Sequence, residues 1–438
     1  MHALTYEQTL AFREAYENDR AAKTATAAAA RTELADLAFV PMNAAKLNGE
    51  FTIELKTRGI TAQEKSGRCW MFAALNLLRE GVAEKLGLKQ FEFSENYLAF
   101  YDKLEKSNNF LSWIIDTAAK PLTDREVNYV LAGIGDGGYW CMAVDLIEKY
   151  GLVPKSVMPE TWQSSHTEKG RTLLNTLLRR DAAELRDWIA AGKDPEPRRL
   201  EMLREIYKLL CITFGEPVDK FDFTWRGEDG AFREDRGLTP QDFYRKYVGV
   251  DLSEYVQVDN APTWKTPMHE PFTFHYLGNM AEKNVLALNL PFDEFEALAL
   301  ASLRGGDAMW FACDAGAYGD RKTGVWDPDS FDYAGLLGGV ELEMPTKQKR
   351  LEYRASNGTH AMLLIGVHLD ENGKPDRWKI ENSWGKDVGK EGYFVCSERY
   401  FREYTYELIV KKSYLTDAQR EMLTHEPMRI LPWEDIPV

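Results

Sequence analysis

The sequence changes character once, near residue 262, and this restricts its fold more than any other feature. Before that point it favours helices, with the stretches 172–191 and 197–210 dense in Leu, Arg and Glu. Beyond about residue 265 the apolar residues gather in short runs bounded by turn residues, notably 361–367 and 377–381, the habit of strands. Helices and strands segregated in this way predict an α+β fold. The expected divisions are an N-terminal helical arm over 1–55, a helical half over 56–160, a charged helical insertion over 161–262, a strand-rich half over 263–425 and a C-terminal tail over 426–438.

With 438 residues, 44% of them hydrophobic, the chain can bury a full-sized core. Acidic residues outnumber basic ones by 69 to 54, and the formal charge of −15 repels phosphate backbones and anionic lipid. Nucleic acid and membranes are therefore not expected partners. The basic run Lys347-Gln348-Lys349-Arg350 reads as a solvated face. The five cysteines are scattered and never form C-x-x-C, which argues against a disulfide framework or a zinc ribbon and for a reducing compartment. No basic start followed by an apolar run is present, nor any apolar stretch of about eighteen residues, so a cytoplasmic location is expected.

The segment Gln63-Glu64-Lys65-Ser66-Gly67-Arg68-Cys69-Trp70 leads into apolar residues Trp70, Ala73, Ala74, Leu77 and Leu78 at helical spacing, with Val82 continuing the stripe and Gly87 as a stop. Cys69 thus stands at a helix N-terminus, where free amide hydrogens and the helix dipole favour a thiolate. Most free cysteines are merely small buried hydrophobes. What lifts Cys69 above that reading lies almost 300 residues on.

There Asn357-Gly358-Thr359-His360 opens one strand, and Trp378-Lys379-Ile380-Glu381-Asn382 forms a second after the turn Glu371-Asn372-Gly373-Lys374-Pro375. An antiparallel hairpin centred near residue 372 would bring His360 and Asn382 to the same end. A thiol nucleophile needs a base beside it and a third group to hold the imidazole, and Cys69, His360 and Asn382 supply that set. Gln63, six residues before Cys69, is close enough to share an oxyanion hole with the Cys69 amide.

These residues resemble the papain-like cysteine peptidases, in Gln63, Ser66-Gly67-Arg68-Cys69-Trp70, His360-Ala361 and Asn382-Ser383-Trp384-Gly385. More narrowly the chain is similar to the bleomycin hydrolase and aminopeptidase C branch, through Phe93-Ser94-Glu95-Asn96-Tyr97-Leu98, Asp102-Lys103-Leu104-Glu105-Lys106, Asp136-Gly137-Gly138 and Trp310-Phe311-Ala312-Cys313-Asp314. The resemblance implies a papain-like fold, with Gly137 and Gly138 lining the substrate cleft and Trp384 shielding the contact between His360 and Asn382. It also implies a homo-oligomer, a hexamer, whose C-terminal tail lies in each cleft and offers a terminal carboxylate, here that of Val438, to the substrate's α-ammonium. Two features depart from the wider papain pattern. Ser66 replaces a disulfide cysteine, and the 291 residues from Cys69 to His360 far exceed the roughly 130 to 150 of that pattern.

The expected function is a cysteine aminopeptidase acting on peptides without metal or cofactor. The tail ends five residues after Trp433, shorter than the aminopeptidase endings it resembles, and this keeps a cysteine endopeptidase as the alternative. A catalytically silent scaffold is opposed by the joint presence of Gln63, Cys69, His360 and Asn382. The histidine pairs His269 with His275 and His360 with His368 lack the H-E-x-x-H spacing of a metalloenzyme.

Overall fold

A computed structural model describes residues 2–281 and 283–431. The helix Cys69–Leu86 begins directly after Arg68 and ends where Gly87, at φ +62°, takes the left-handed conformation that closes the last turn. It is a central helix rather than a one-sided amphipathic one. Met71, Phe72, Leu75, Asn76 and Arg79 are buried together with Trp70, Ala73, Ala74, Leu78 and Val82, because the helix packs against the strand His360–Leu369 on one side and the helices Glu95–Asp116 and Trp140–Tyr150 on others.

The strand His360–Leu369 lies near the middle of a twelve-stranded sheet. It pairs antiparallel with Met309–Cys313 on one edge and with Pro375–Glu381 on the other. Alternation along it divides two cores. Ala361, Leu363 and Ile365 join Trp310 and Ala312 against the helices, whereas Met362, Leu364 and Val367 join Met309, Phe311 and Cys313 on the far face. Burial on both faces explains the unbroken apolar run 361–367. The hairpin register runs from Leu369 opposite Pro375 to Leu363 opposite Glu381, with Gly373 at φ +75° in its turn. That register carries His360 and Asn382 to the same end.

The segment 161–262 is more varied than its helix-favouring composition predicts. Its helices Thr167–Ala190 and Glu196–Phe214 pack on Glu95–Asp116, but an antiparallel hairpin of Phe221–Arg226 and Phe232–Leu238 follows, and Tyr255–Asp259 then enters the large sheet beside Thr405–Lys411. Phe221, Phe223 and Trp225 carry a period of two that intervening charges obscure, and Phe223 is buried against Phe91 and Phe243. The basic run at 347–350 also differs from expectation. Lys347 is buried, with Nζ donating to Asn260 Oδ1 and to the carbonyls of Arg402 and Thr405, while Arg350 pairs with Glu403. These cations satisfy carbonyls inside the fold instead of facing solvent. In the N-terminal arm the helices Tyr6–Asn18 and Arg20–Ala29 are capped by Thr5 and Asp19 and bury no residue.

Candidate active site

Where the helix Cys69–Leu86 meets the strand His360–Leu369, a cleft of about 430 Å³ opens, and Cys69, His360, Gly137 and Gly138 all line it. The hydrogen bonds around His360 determine its tautomer. Its Nε2 lies 2.8 Å from Asn382 Oδ1, and the Ser383 backbone N–H donates to that same oxygen at 2.7 Å. With a backbone donor fixing that end of the amide as oxygen, Nε2 must carry the proton, which leaves the basic lone pair on Nδ1. Asn382 is wholly buried, and Trp384 stacks on the imidazole at 4.6 Å between ring centroids. The guanidinium of Arg321 covers the same indole at 4.1 Å.

Burial acts against charge on both Cys69 and His360. It pushes the Cys69 thiol up, and the backbone amides of Ala361, Trp70 and Cys69 itself recover only part of that shift. The expectation that a helix N-terminus would lower this thiol is therefore overturned for the isolated group, because desolvation exceeds the amide contribution. Burial likewise lowers His360 to about 4, against the stabilising bond from Asn382 and assisted by the charge of Arg321. A thiolate or an imidazolium alone is thus disfavoured here. Formed together by transfer of one proton, the two opposite charges attract across a low-dielectric cleft and offset that cost.

Gln63 is placed differently from its simplest reading. Its side chain is buried, and its Nε2 donates to Ser66 O at 2.7 Å while its Oε1 accepts from Ser383 Oγ at 2.7 Å. These bonds lock the amide with one Nε2 hydrogen still uncommitted among them. Ser383, which the sequence reading passed over, consequently joins the two ends of the site. Its backbone N–H holds Asn382, its hydroxyl holds Gln63, and its carbonyl accepts from the Gln63 N–H at 2.8 Å. Its sequence signal was its place in Asn382-Ser383-Trp384-Gly385, which by itself gave it no role.

The glycine wall is held from behind by the helix Glu95–Asp116. Lys103 Nζ donates to Gly135 O at 2.7 Å, Lys106 Nζ donates to Gly137 O at 2.6 Å, and Trp70 Nε1 donates to Asp136 O at 2.9 Å. Asp102 and Asp136 balance the two buried ammonium groups at 3.0 Å and 2.9 Å. The sequence contained both lysines, but their spacing of three residues on a helix marks only a shared face.

The sequence model of the peptidase C1-like family matches residues 3–437. The chain belongs to the peptidase C1-like family. It is a cysteine peptidase, and its α+β architecture is the papain-like one. It is 43% identical over 399 residues to aminopeptidase C of Listeria monocytogenes, covering 90% of this chain and 89% of that protein. It is 39% identical over 444 residues to aminopeptidase G of Lactobacillus delbrueckii subsp. lactis, covering 99% of each. Among solved structures, PepW from Lactobacillus rhamnosis HN001 superposes with a TM-score of 0.95 at 40% identity, over 100% of this chain and 98% of that one. For a C1-like peptidase the geometry supplies a thiol, a base of defined tautomer and a glycine-walled cleft. Among the described residues no helix is long and apolar enough to cross a membrane. Val438 lies outside the described residues.

Proposed function

We propose that this C1-like peptidase is an aminopeptidase whose reaction is carried by Cys69, His360, Asn382 and Gln63. The observation that bears most weight is the cleft shared by Cys69 and His360, with the imidazole turned by Asn382 so that Nδ1 is its basic nitrogen. In this reading Nδ1 takes the thiol proton as Sγ attacks a peptide carbonyl, and the oxyanion is met by the Cys69 N–H and the free Nε2 hydrogen of Gln63. The imidazolium then gives its proton to the leaving amine, and the acyl thioester forms. Water, losing a proton to Nδ1, attacks that thioester, and the carboxylic product and free thiol are released. Gly137 and Gly138 admit the peptide backbone, and Trp384 keeps water from the contact between His360 and Asn382.

The removal of N-terminal residues is supported by the names and the extent of identity of the relatives, which run nearly the full length of the chain. The Val438 carboxylate is our candidate for the group that meets the substrate α-ammonium, in a cytoplasmic homohexamer that needs no cofactor. Purified Cys69→Ala should lose all hydrolysis while keeping its fold, and retained activity there would end the assignment. A free-amine dipeptide reporter and its N-acetylated twin distinguish the modes: cleavage of the free amine alone supports the aminopeptidase, and equal cleavage of both supports an endopeptidase.

A further inference from the structure

The strand Thr405–Lys411 carries a carboxyl for which acyl transfer has no use. Glu407 is 2% exposed and lines the same cleft as Cys69 and His360, and no described residue donates a hydrogen bond to its buried Oε2. Directly opposite in the antiparallel register stands Asp259, itself wholly buried, with Gln257 Nε2 donating to its Oδ1 at 3.1 Å. Burial pushes both carboxyls up, and the charge of Asp259 pushes Glu407 further. The charge of Lys347 lowers Asp259 only in part, and its Nζ gives its hydrogen bonds to Asn260 Oδ1 at 2.7 Å and to the carbonyls of Arg402 and Thr405 at 3.0 Å and 2.5 Å.

A buried acid without a partner is costly, and natural interiors rarely leave one so unless a ligand completes it. Glu407 is the one carboxylic side chain among the described cleft-lining residues. Lys106, the one lysine or arginine there, is already bound to Gly137 O and Asp102. The walls around them are largely apolar, including Phe110, Trp113, Ile134 and Tyr276. Such walls hold the local dielectric low and strengthen any charge pairing inside.

We propose that Glu407, backed by Asp259, is the cation-accepting point of the cleft and takes a primary ammonium group of the bound peptide. The Glu407 carboxylate accepts an N–H of the ammonium, and any proton held on it beforehand leaves to solvent. No covalent bond changes. The ammonium is either a lysine side chain near the first residue, with Val438 meeting the α-amine, or that α-amine itself in place of Val438. The proposal rests on reading the cleft as a peptide site.

The test measures binding rather than turnover. Four short peptides, beginning Lys-Lys or norleucine-norleucine and each with a free or an acetylated N-terminus, are titrated calorimetrically into Cys69→Ala with and without Glu407→Gln. At least one cationic form should bind about 10-fold more tightly than its neutral counterpart, and Glu407→Gln should bring that ratio within twofold. Collapse of the free-to-acetylated ratio assigns the α-amine, and collapse of the lysine-to-norleucine ratio assigns the side chain. Peptides that bind with ratios unmoved by Glu407→Gln overturn the proposal and leave the peptidase reading standing. Failure of all four to bind Cys69→Ala overturns both. Asp259→Asn should keep the preference, since Glu407 remains; if it erases the preference as fully as Glu407→Gln does, a disturbed strand pair is responsible and the proposal falls.

Discussion

Gly137 and Gly138 are neighbours that should respond oppositely to the same added methyl group. A Cβ on Gly138 would lie 2.6 Å from Trp70 Cε2 and 2.8 Å and 2.9 Å from two further indole carbons. That indole has little room to yield. It is 1% exposed, its Nε1 donates to Asp136 O at 2.9 Å, and the Trp70 carbonyl accepts from Trp310 Nε1 at 3.0 Å. Gly138→Ala therefore overpacks a core side chain next to Cys69 and should destabilise the protein by about 1–3 kcal/mol. A Cβ on Gly137 would meet no heavy atom within 4 Å, and neither glycine has a positive φ, so the backbone opposes neither substitution. Gly137→Ala should stay within about 0.5 kcal/mol of wild type and act only through the cleft it narrows. At roughly 2.1 cal/mol/K of unfolding entropy per residue, 1 kcal/mol moves the melting midpoint of so long a chain by only about 1 °C. Urea midpoints are therefore the better stability assay, with kcat and KM measured on the free-amine reporter alongside. Gly138→Ala should lower kcat by about 10-fold or more as the thiol is displaced, while Gly137→Ala should raise KM. Equal stability of Gly138→Ala and wild type, or equal losses in both variants, would refute the packing argument.

Asn382→Ala removes the acceptor that turns the His360 ring, and kcat/KM should fall about 100-fold with the melting curve little moved; an unchanged rate would show the ring is held by other means. Ser383→Ala frees Gln63 Oε1 and should cost up to about 10-fold in kcat with KM nearly constant, because the amide so loosened is one that serves the oxyanion and not the ground state. In Cys69→Ala the His360 ring should titrate near 4 by NMR, since burial lowers it and no thiolate is present to offset that; a midpoint near 6.5 would contradict the burial argument. Burial pushes the Asp136 carboxyl up, but the charge of Lys103 and hydrogen bonds from Thr167 and Lys103 outweigh it and hold the group below its usual range. A lowered folded-state value means stability that is present above about pH 4 and is lost as the pH falls further. Asp136→Asn should thus be destabilised by about 3 kcal/mol at pH 7, and its disadvantage should shrink on acidification; a constant difference in urea midpoint from pH 7 to pH 3 would rule this out.

Much of the site was legible because its signals are local. The glycine before Cys69, the helical spacing after it and the stop at Gly87 are short-range instructions, and the helix Cys69–Leu86 follows them. The turn at 371–375 and the apolar run before it likewise specify a hairpin whose open end holds His360 and Asn382. The hairpin Phe221–Arg226 with Phe232–Leu238 escaped notice because its alternating aromatics are interleaved with charges in an otherwise helical stretch. The burial of Lys347 was equally hidden, since the carbonyls it satisfies belong to residues more than fifty positions away.

The amino-acid order alone determined where the helix Cys69–Leu86 starts and which strand ends bear the imidazole and its amide partner, consequences of backbone preference and periodicity within a few residues, while its motifs carried the resemblance to the family. Only the tertiary structure decided that Nε2 of His360 carries the proton, that burial overrides the helix terminus at Cys69, that Gly138 and not Gly137 lies beneath an indole, and that Glu407 lines the cleft with its Oε2 unpartnered among the described residues. Those properties arise from desolvation and contacts between groups distant along the chain, and no local pattern encodes them.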